Sequence, residues 1–418
     1  MTHPVKWFSS KMEGAPILTS GYNAEDCGSL AALLKTVLTL GFGSKPVDSL
    51  VYDAAKAEAK ATFQAGHSYL QHQIIKVEGA TDNTYNGEFR VSAVSSTEVW
   101  FKLTAVPAGD ALGTITMSIP PAGWKVKAES SNGHIIVFEP GRDVGNVMLR
   151  VDNSDFPNPN GSNTSTNNNT GARGTSSSYR AIKARVESVS SYTDIDMYDA
   201  EIEQRWPASH VYATEPEWEI ISDDAFFYFI IKYARSSCKA VFFAGYINSV
   251  RPGDRYCFLL NGLSYWSQNT TTGAWSNTSW SAYNFGLRFN TPYSKNLISR
   301  GHHQLFGTET VIFTNNMDYS GSLLSHPNPA DNGFYINNQP VMVCENENTY
   351  RGSLPGLLTP LSGSVSYDNK TLSELPTMPN NTVRCHMLVI SDSATWSGGT
   401  NSRPYLHCFD VSDSGWRA

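Results

Sequence analysis

FFYFIIKY, Phe226–Tyr233, and KAVFFAGYI, Lys239–Ile247, are the stretches that decide the fold. Each is an unbroken apolar run of strand length. A strand with one wet face alternates apolar and polar residues, so unbroken runs mark strands covered on both faces. The two runs are read as the centre of a large C-terminal β-core. Strand patterns surround them: TITMSI, GWKVKAE, HIIVFEP and NVMLRVD within residues 113–152, YRAIKARVESV and WEIIS next, and RCHMLVIS and RPYLHCFDVS near the end. No repeat of the solenoid or propeller kind is visible.

Toward the N-terminus the period changes. Residues 1–27 follow neither a helical nor a strand period and read as an extended arm. SLAALLKTVLTL, Ser29–Leu40, puts Leu30, Leu33, Leu34, Val37 and Leu38 at helical spacing, with Asp26 and Ser29 as candidate caps and Gly41–Gly43 as the stop. A helix of about three turns with one apolar stripe cannot stand alone in water, so it packs on a sheet or docks on a neighbouring subunit. Beyond Pro46 the period is two. Ala55–Phe63 alternates, and IIKVEGAT, GEFRVSAVSS and EVWFKL follow. Turn signals stand at Ala65-Gly66-His67, Gly79-Ala80-Thr81 and Asn86-Gly87. The expected fold is mainly β with one short N-terminal helix. Residues 1–45 form the arm and helix, 46–112 a small antiparallel β-barrel or sandwich, and 113–418 a larger β-sandwich-like domain. Residues 155–178, DFPNPNGSNTSTNNNTGARGTSSS, have no hydrophobic period and read as an exposed loop or linker.

Composition narrows the function. Charged residues are 17% of the 418, below the roughly 25% of an average soluble domain. The deficit is filled by Ser, Thr, Asn and Gly, as in loop-rich β proteins and in surfaces that meet other subunits. A net charge of −7 without a dense Lys/Arg cluster argues against a nucleic-acid or anionic-membrane partner. The first residues lack a secretory pattern, and no apolar run reaches a membrane span, so assembly in a cytoplasm without membrane insertion is expected. Cys27, Cys238, Cys257, Cys344, Cys385 and Cys408 are widely spaced and read as free buried thiols.

Several strings, in their order along the chain, resemble a family of tailed-bacteriophage tail and baseplate structural proteins. KWFSSKMEGAP at Lys6–Pro16, with GSLAALLKTVLTLGFGSKPVDSL after it, is similar to that family's N-terminal module. AGHSYLQHQIIKVEGATDNTYNGEFRVSAVSSTEVWFKL resembles the small β-module labelled FCCH, after a domain of ubiquitin-activating enzymes; in phages the label implies a fold and no ubiquitin chemistry. GTITMSIPPAGWKV, VMLRVDNS, ARVESVSSYTDID, WEIISDDAFFYFIIKY, YRGSLPGLLTPL and FDVSDSGW complete the likeness. In Arg351-Gly352 through Leu354-Pro355-Gly356-Leu357, Gly and Pro are expected to fix a tight, unpaired backbone path. The Asn/Ser/Thr loop at 155–178 departs from the family pattern. The resemblance implies a virion protein that acts through contacts with copies of itself, three- or six-fold, and with other tail or baseplate proteins.

Residues able to carry chemistry are sparse. Asp194, Asp196, Asp199, Glu201 and Glu203 could hold a cation or supply paired acids, but even spacing places several on one solvated strand face. Asp223-Asp224 reads as a turn whose side chains accept nearby backbone N–H groups. His302-His303 point to opposite faces of a strand and cannot share a metal, while His67 reads as a turn residue bonded to backbone. No GxSxG elbow or phosphate loop occurs, so no catalytic residue, cofactor or metal is assigned. Trp266, Trp275, Trp280 and Trp396 sit in polar segments and are read as subunit contacts, with stacking on a host glycan as the other reading. The expected function is thus structural, in a phage tail or baseplate. The alternatives are a receptor-binding protein recognising host carbohydrate and a polysaccharide depolymerase with two carboxylates across a cleft.

Overall fold

The computed structural model describes residues 5–19, 27–154, 183–207, 215–232 and 239–262. Beyond these it describes 267–268, 275–276, 295–301, 307–314, 324–325, 329–330, 336–345, 349–360, 362–363, 385–391, 404–411 and 416. The loop expected at 155–178 and His302-His303 lie outside them. The fold is mainly β, with several antiparallel sheets and one short helix.

The strand Phe226–Lys232 runs between Trp218–Ser222 and Lys239–Tyr246 in a twelve-stranded sheet. All its side chains from Phe226 to Ile231 are buried. Alternate residues face different layers, which is why the run has no polar phase. Phe227 meets Trp124 and Trp206, and Phe229 stacks on Trp206 with Phe242 alongside. Phe226 and Tyr228 turn the other way, to Phe243 and Trp416, and Tyr228 also to Phe409 at 4.7 Å. Trp206 belongs to a five-stranded sheet ordered Met197–Pro207, Lys183–Asp194, Met148–Asp152, Ile135–Glu139, Lys125–Glu129. Phe409 and Pro355, whose carbonyl accepts the Tyr228 hydroxyl at 2.7 Å, come from later strands of the twelve-stranded sheet. That sheet therefore coils over its own first half, and Phe226–Lys232 is the middle layer of three.

Residues 42–119 form a seven-stranded sheet that curls on itself. Its edge strands, Phe42–Pro46 and Ser49–Asp53, are consecutive, and the corner between them is pinned where Val47 N–H donates to Ile115 O and Asp48 N–H to Thr62 O. No ladder closes the ring, so the barrel-or-sandwich expectation resolves to a sandwich. Gly113–Ile119 pairs with Phe42–Pro46, with Phe42 opposite Ile119, so the chain enters and leaves this module at adjacent points.

Local chemistry refines the expected turns. The alternation over Ala55–Phe63 is interrupted by a hairpin turn: the Asp53 carboxylate accepts Ala55 and Lys56 N–H, and Ala57 takes a left-handed conformation. Asn86-Gly87 does not form a two-residue turn. Ile74–Ala80 and Gly87–Val94 are joined by a longer loop containing the 3-10 turn Asn83–Tyr85, and the Asn86 amide closes it against both backbone groups of Ala80. The string from Arg351 to Leu357 is paired at Gly352, Ser353 and Leu357, while Leu354-Pro355-Gly356 between them has no ladder partner among the described residues. It lies in the strand Thr349–Pro360, opposite Ile336–Glu345, Asn248–Ser249 and, at Leu357, Phe409.

The helix Ser29–Lys35 continues as a π-helical turn, Thr36–Leu40, and Gly41 at φ +77° ends it. Its N-cap position is Gly28, which has no side chain to cap with, and the candidate cap Asp26 lies outside the described residues. Leu30 N–H is instead satisfied by Asn153 Oδ1, which is remote in sequence. Leu30, Leu33, Leu34, Val37 and Leu38 are buried within the chain's own core, so of the two packing partners read from the stripe, the sheet takes it. The arm residues Lys6–Ser9 add an edge strand to Trp218–Ser222.

Candidate functional site

The aromatic residues singled out from sequence fall mostly outside the described part. Trp266, Trp280 and Trp396 lie outside it, and Trp275 is placed by its backbone alone, in a short strand opposite Gln268. The structure does not bring these residues into one described site.

The acidic stretch behaves as a solvated face. Asp194, Asp196, Asp199 and Glu203 are exposed, and Glu201 accepts Arg300 Nε at 3.0 Å while the Arg300 guanidinium lies 3.6 Å over the Tyr256 ring. Asp223 is a turn residue, its Oδ1 accepting Ala225 and Phe226 N–H at 2.8 and 2.6 Å; Asp224 pairs with Arg142. His67 Nδ1 accepts Tyr69 N–H, and its Nε2 sits 3.3 Å from Glu98 O, which fixes the neutral Nε2–H tautomer. Burial holds its pKa below the ordinary value, against the raising effects of the Glu98 carbonyl and Glu13.

Two buried charge clusters emerge that the sequence reading did not single out. In the five-stranded sheet, Arg150 stands opposite Glu187, and Asp152 opposite Arg185. Arg150 Nη1 donates to Glu187 Oε2 at 2.7 Å and to Asp152 Oδ2 at 3.3 Å; Arg185 Nη2 donates to the same Asp152 oxygen at 3.0 Å. The tip of the Lys183–Pro207 hairpin folds over them: Arg150 Nε reaches Ile195 O, and its guanidinium lies 4.4 Å from the Tyr198 ring. Burial first, then Glu187, pushes the Tyr198 hydroxyl up to about 12, and it donates to Glu187 at 3.0 Å. Burial lowers the Arg185 pKa, but Glu187, Tyr198 and Asp152 outweigh it and hold the guanidinium above its ordinary value. A signal for this cluster was present: Arg-x-Asp in LRVD and Arg-x-Glu in ARVES are complementary when the strands run antiparallel.

The second cluster centres on Arg351, which is 0% exposed. Its Nε donates to Asp254 Oδ2 at 2.8 Å and its Nη1 to Glu345 Oε1 at 2.5 Å. Nη2 is also 2.8 Å from Asp254 Oδ2 but out of line for a hydrogen bond, so it contributes charge alone. Ser249 Oγ and Tyr256 N–H also donate to Asp254, each at 3.1 Å. These pairs join three chain segments, and their carboxylates are out of a substrate's reach.

The open surface offers little more. A shallow cleft beside the arm contains Ser10, Lys11, Glu217, Trp218 and Glu219. Its two carboxylates come from neighbouring positions of one segment rather than facing walls. Glu217 pairs with Lys11 at 3.5 Å, and Glu219 accepts Trp7 Nε1–H at 3.1 Å. Among the described residues, no group of three or more His, Cys, Asp or Glu is placed to hold a metal ion, and no helix is long and apolar enough to cross a membrane. Cys27, Cys257 and Cys344 are buried thiols outside any disulfide, while Cys238 and the side chains of Cys385 and Cys408 lie outside the described part.

No protein-family model matches the chain, and no curated protein matches it. Among solved structures it is similar to the endosialidase of phage phi92, at 10% identity and a TM-score of 0.17, over 88% of this chain and 52% of that one. The chain thus spans about half the length of that protein, and a TM-score of this size does not establish a shared fold.

Proposed function

We propose that this chain is a structural subunit of a tailed-phage virion, in the tail or baseplate, assembled in the host cytoplasm and acting through shape rather than catalysis. It works as a three- or six-fold homo-oligomer among other tail proteins. The sequence strings from Lys6–Pro16 to FDVSDSGW support the class. The observation that carries the structural role is how buried charge is used: Arg150 is held by Glu187 of the neighbouring strand and Asp152 of its own, and Arg351 is clamped between Asp254 and Glu345 of two other segments. Buried ion pairs are a poor source of net stability, because desolvation offsets the attraction. They do fix which strands meet and in what register, which suits a part whose task is geometry.

The test is to fractionate intact particles and assay tail and baseplate fractions for the chain by mass spectrometry, then incubate the pure protein with host surface polysaccharide. The proposal expects the chain in particles, with neither binding nor cleavage of the polysaccharide. Binding without cleavage supports a receptor-recognition protein instead. Release of reducing ends supports a depolymerase, and absence from particles ends the virion reading.

A further inference from the structure

The module of residues 42–119 joins the rest of the chain through one narrow place. The chain enters at Gly41-Phe42 and leaves at Ile119-Pro120, and Phe42 and Ile119 are ladder partners. Just outside, Gly41 N–H donates to Thr36 O, Ala122 N–H to Val37 O, and Gly123 N–H to Leu38 O. Two adjacent strands crossing at one point form a pivot: they fix position but resist rotation weakly.

The N-terminal arm supplies a second attachment. One edge of it belongs to the twelve-stranded sheet: Lys6–Ser9 pairs with Trp218–Ser222, Ser10 N–H donates to Trp218 O, and Trp218 Nε1–H to Pro16 O. Its side chains reach the other way. Lys6, 7% exposed, places Nζ 3.0 and 2.8 Å from the two Glu88 carboxylate oxygens and 2.7 Å from Pro121 O, so it bonds the module and the segment just beyond its last strand together. Glu13 accepts Ser68 N–H at 2.7 Å and Lys45 Nζ at 3.4 Å. The Phe8 and Phe42 rings lie 6.2 Å apart. Glu88, Ser68 and Lys45 belong to separate parts of the module, so the arm holds it away from the pivot as well as at it.

We infer that the arm is a clasp that fixes the orientation of residues 42–119 on the central sheet, turning a pivot into a rigid joint. This stands on the geometry alone and does not depend on the virion reading. With the clasp cut, the module stays folded but swings, and the hydrogen bonds beside the pivot open more often.

Hydrogen exchange on the full chain tests this. Lys6→Met with Glu13→Met removes the polar ties and leaves the arm's ladder and apolar side chains in place. Exchange at Gly41, Ala122 and Gly123 should quicken roughly tenfold, the order expected for loss of a charged, part-buried hydrogen bond. Amides of Ile74–Ala80 should keep parental rates. Lys6→Glu should loosen the pivot in the same way, and adding Glu88→Lys to it should restore protection. The inference is overturned if pivot amides exchange at the parental rate in both arm variants. It is equally overturned if Ile74–Ala80 loses protection together with the pivot, because module and sheet would then open as one unit.

Discussion

Replacing Arg351 by methionine keeps the length of the side chain and removes its charge. Asp254 and Glu345, with side chains 0% and 6% exposed, then lose the guanidinium that both of them contact. Breaking a buried pair by deleting one partner costs about 3–5 kcal/mol, because the remaining charge stays desolvated. With an unfolding entropy of roughly 2.1 cal/mol/K per residue, that loss lowers Tm by about 3–6 °C if the chain unfolds as one unit. Differential scanning calorimetry at a fixed scan rate, with repeated heating to check reversibility, gives the shift. The reasoning makes a second demand. Neutralising the partners as well, in Arg351→Met with Asp254→Asn and Glu345→Gln, removes the stranded charge and should recover more than half of the lost Tm. An Arg351→Met protein melting within about 1 °C of the parent would refute the account. So would a triple variant no better than the single one.

Other sites give independent expectations. Tyr246→Phe removes the hydroxyl that accepts Val147 N–H at 2.5 Å and donates to Val147 O at 3.0 Å, so chemical denaturation should show a loss of about 1–3 kcal/mol. Gly356→Ala places a Cβ at φ +65° against the Trp416 indole, and should cost more than the roughly 1–2 kcal/mol of the left-handed backbone alone while changing Trp fluorescence. His67 has a folded-state pKa below its ordinary 6.5, so the unfolded chain binds the proton more readily. Its contribution is therefore complete above pH 6.5 and is lost as the pH falls below it. Denaturation midpoints at pH 7.5 and 5.5 should differ less in His67→Gln than in the parent.

What could be read from the sequence depended on period and on distance along the chain. The unbroken apolar runs at Phe226–Lys232 and Lys239–Tyr246 were legible because burial on both faces leaves no polar phase. Which layers cover them was not, since Trp206 comes from a different sheet and Trp416 from nearly two hundred residues further along the chain. The helix stripe at Leu30–Leu38 was legible, but its N-terminal cap was not, because Asn153 supplies it from another sheet. The turn at residues 54–57 contains neither Gly nor Pro, and is set by the Asp53 carboxylate and Ala57 backbone. The charge clusters were hidden for a different reason. Arg150 and Glu187 look like ordinary surface positions on alternating strands until the hairpin tip folds over them. The Trp residues offered as a contact or glycan surface lie where the structure describes little, and their role rests on sequence alone.

The shared doorway at Phe42 and Ile119 also matters for how such a chain can change over time. A segment whose two ends are neighbours can be exchanged for another of different length or shape without rerouting anything else. Here the graft would need to satisfy few foreign requirements: a partner for Lys6, a hydrogen-bond donor to the Glu13 carboxylate, and two strands that start side by side. Residues 42–119 are therefore the natural cassette for recombination, and hybrid chains cut at 41/42 and 119/120 are where interchangeable parts should first be sought.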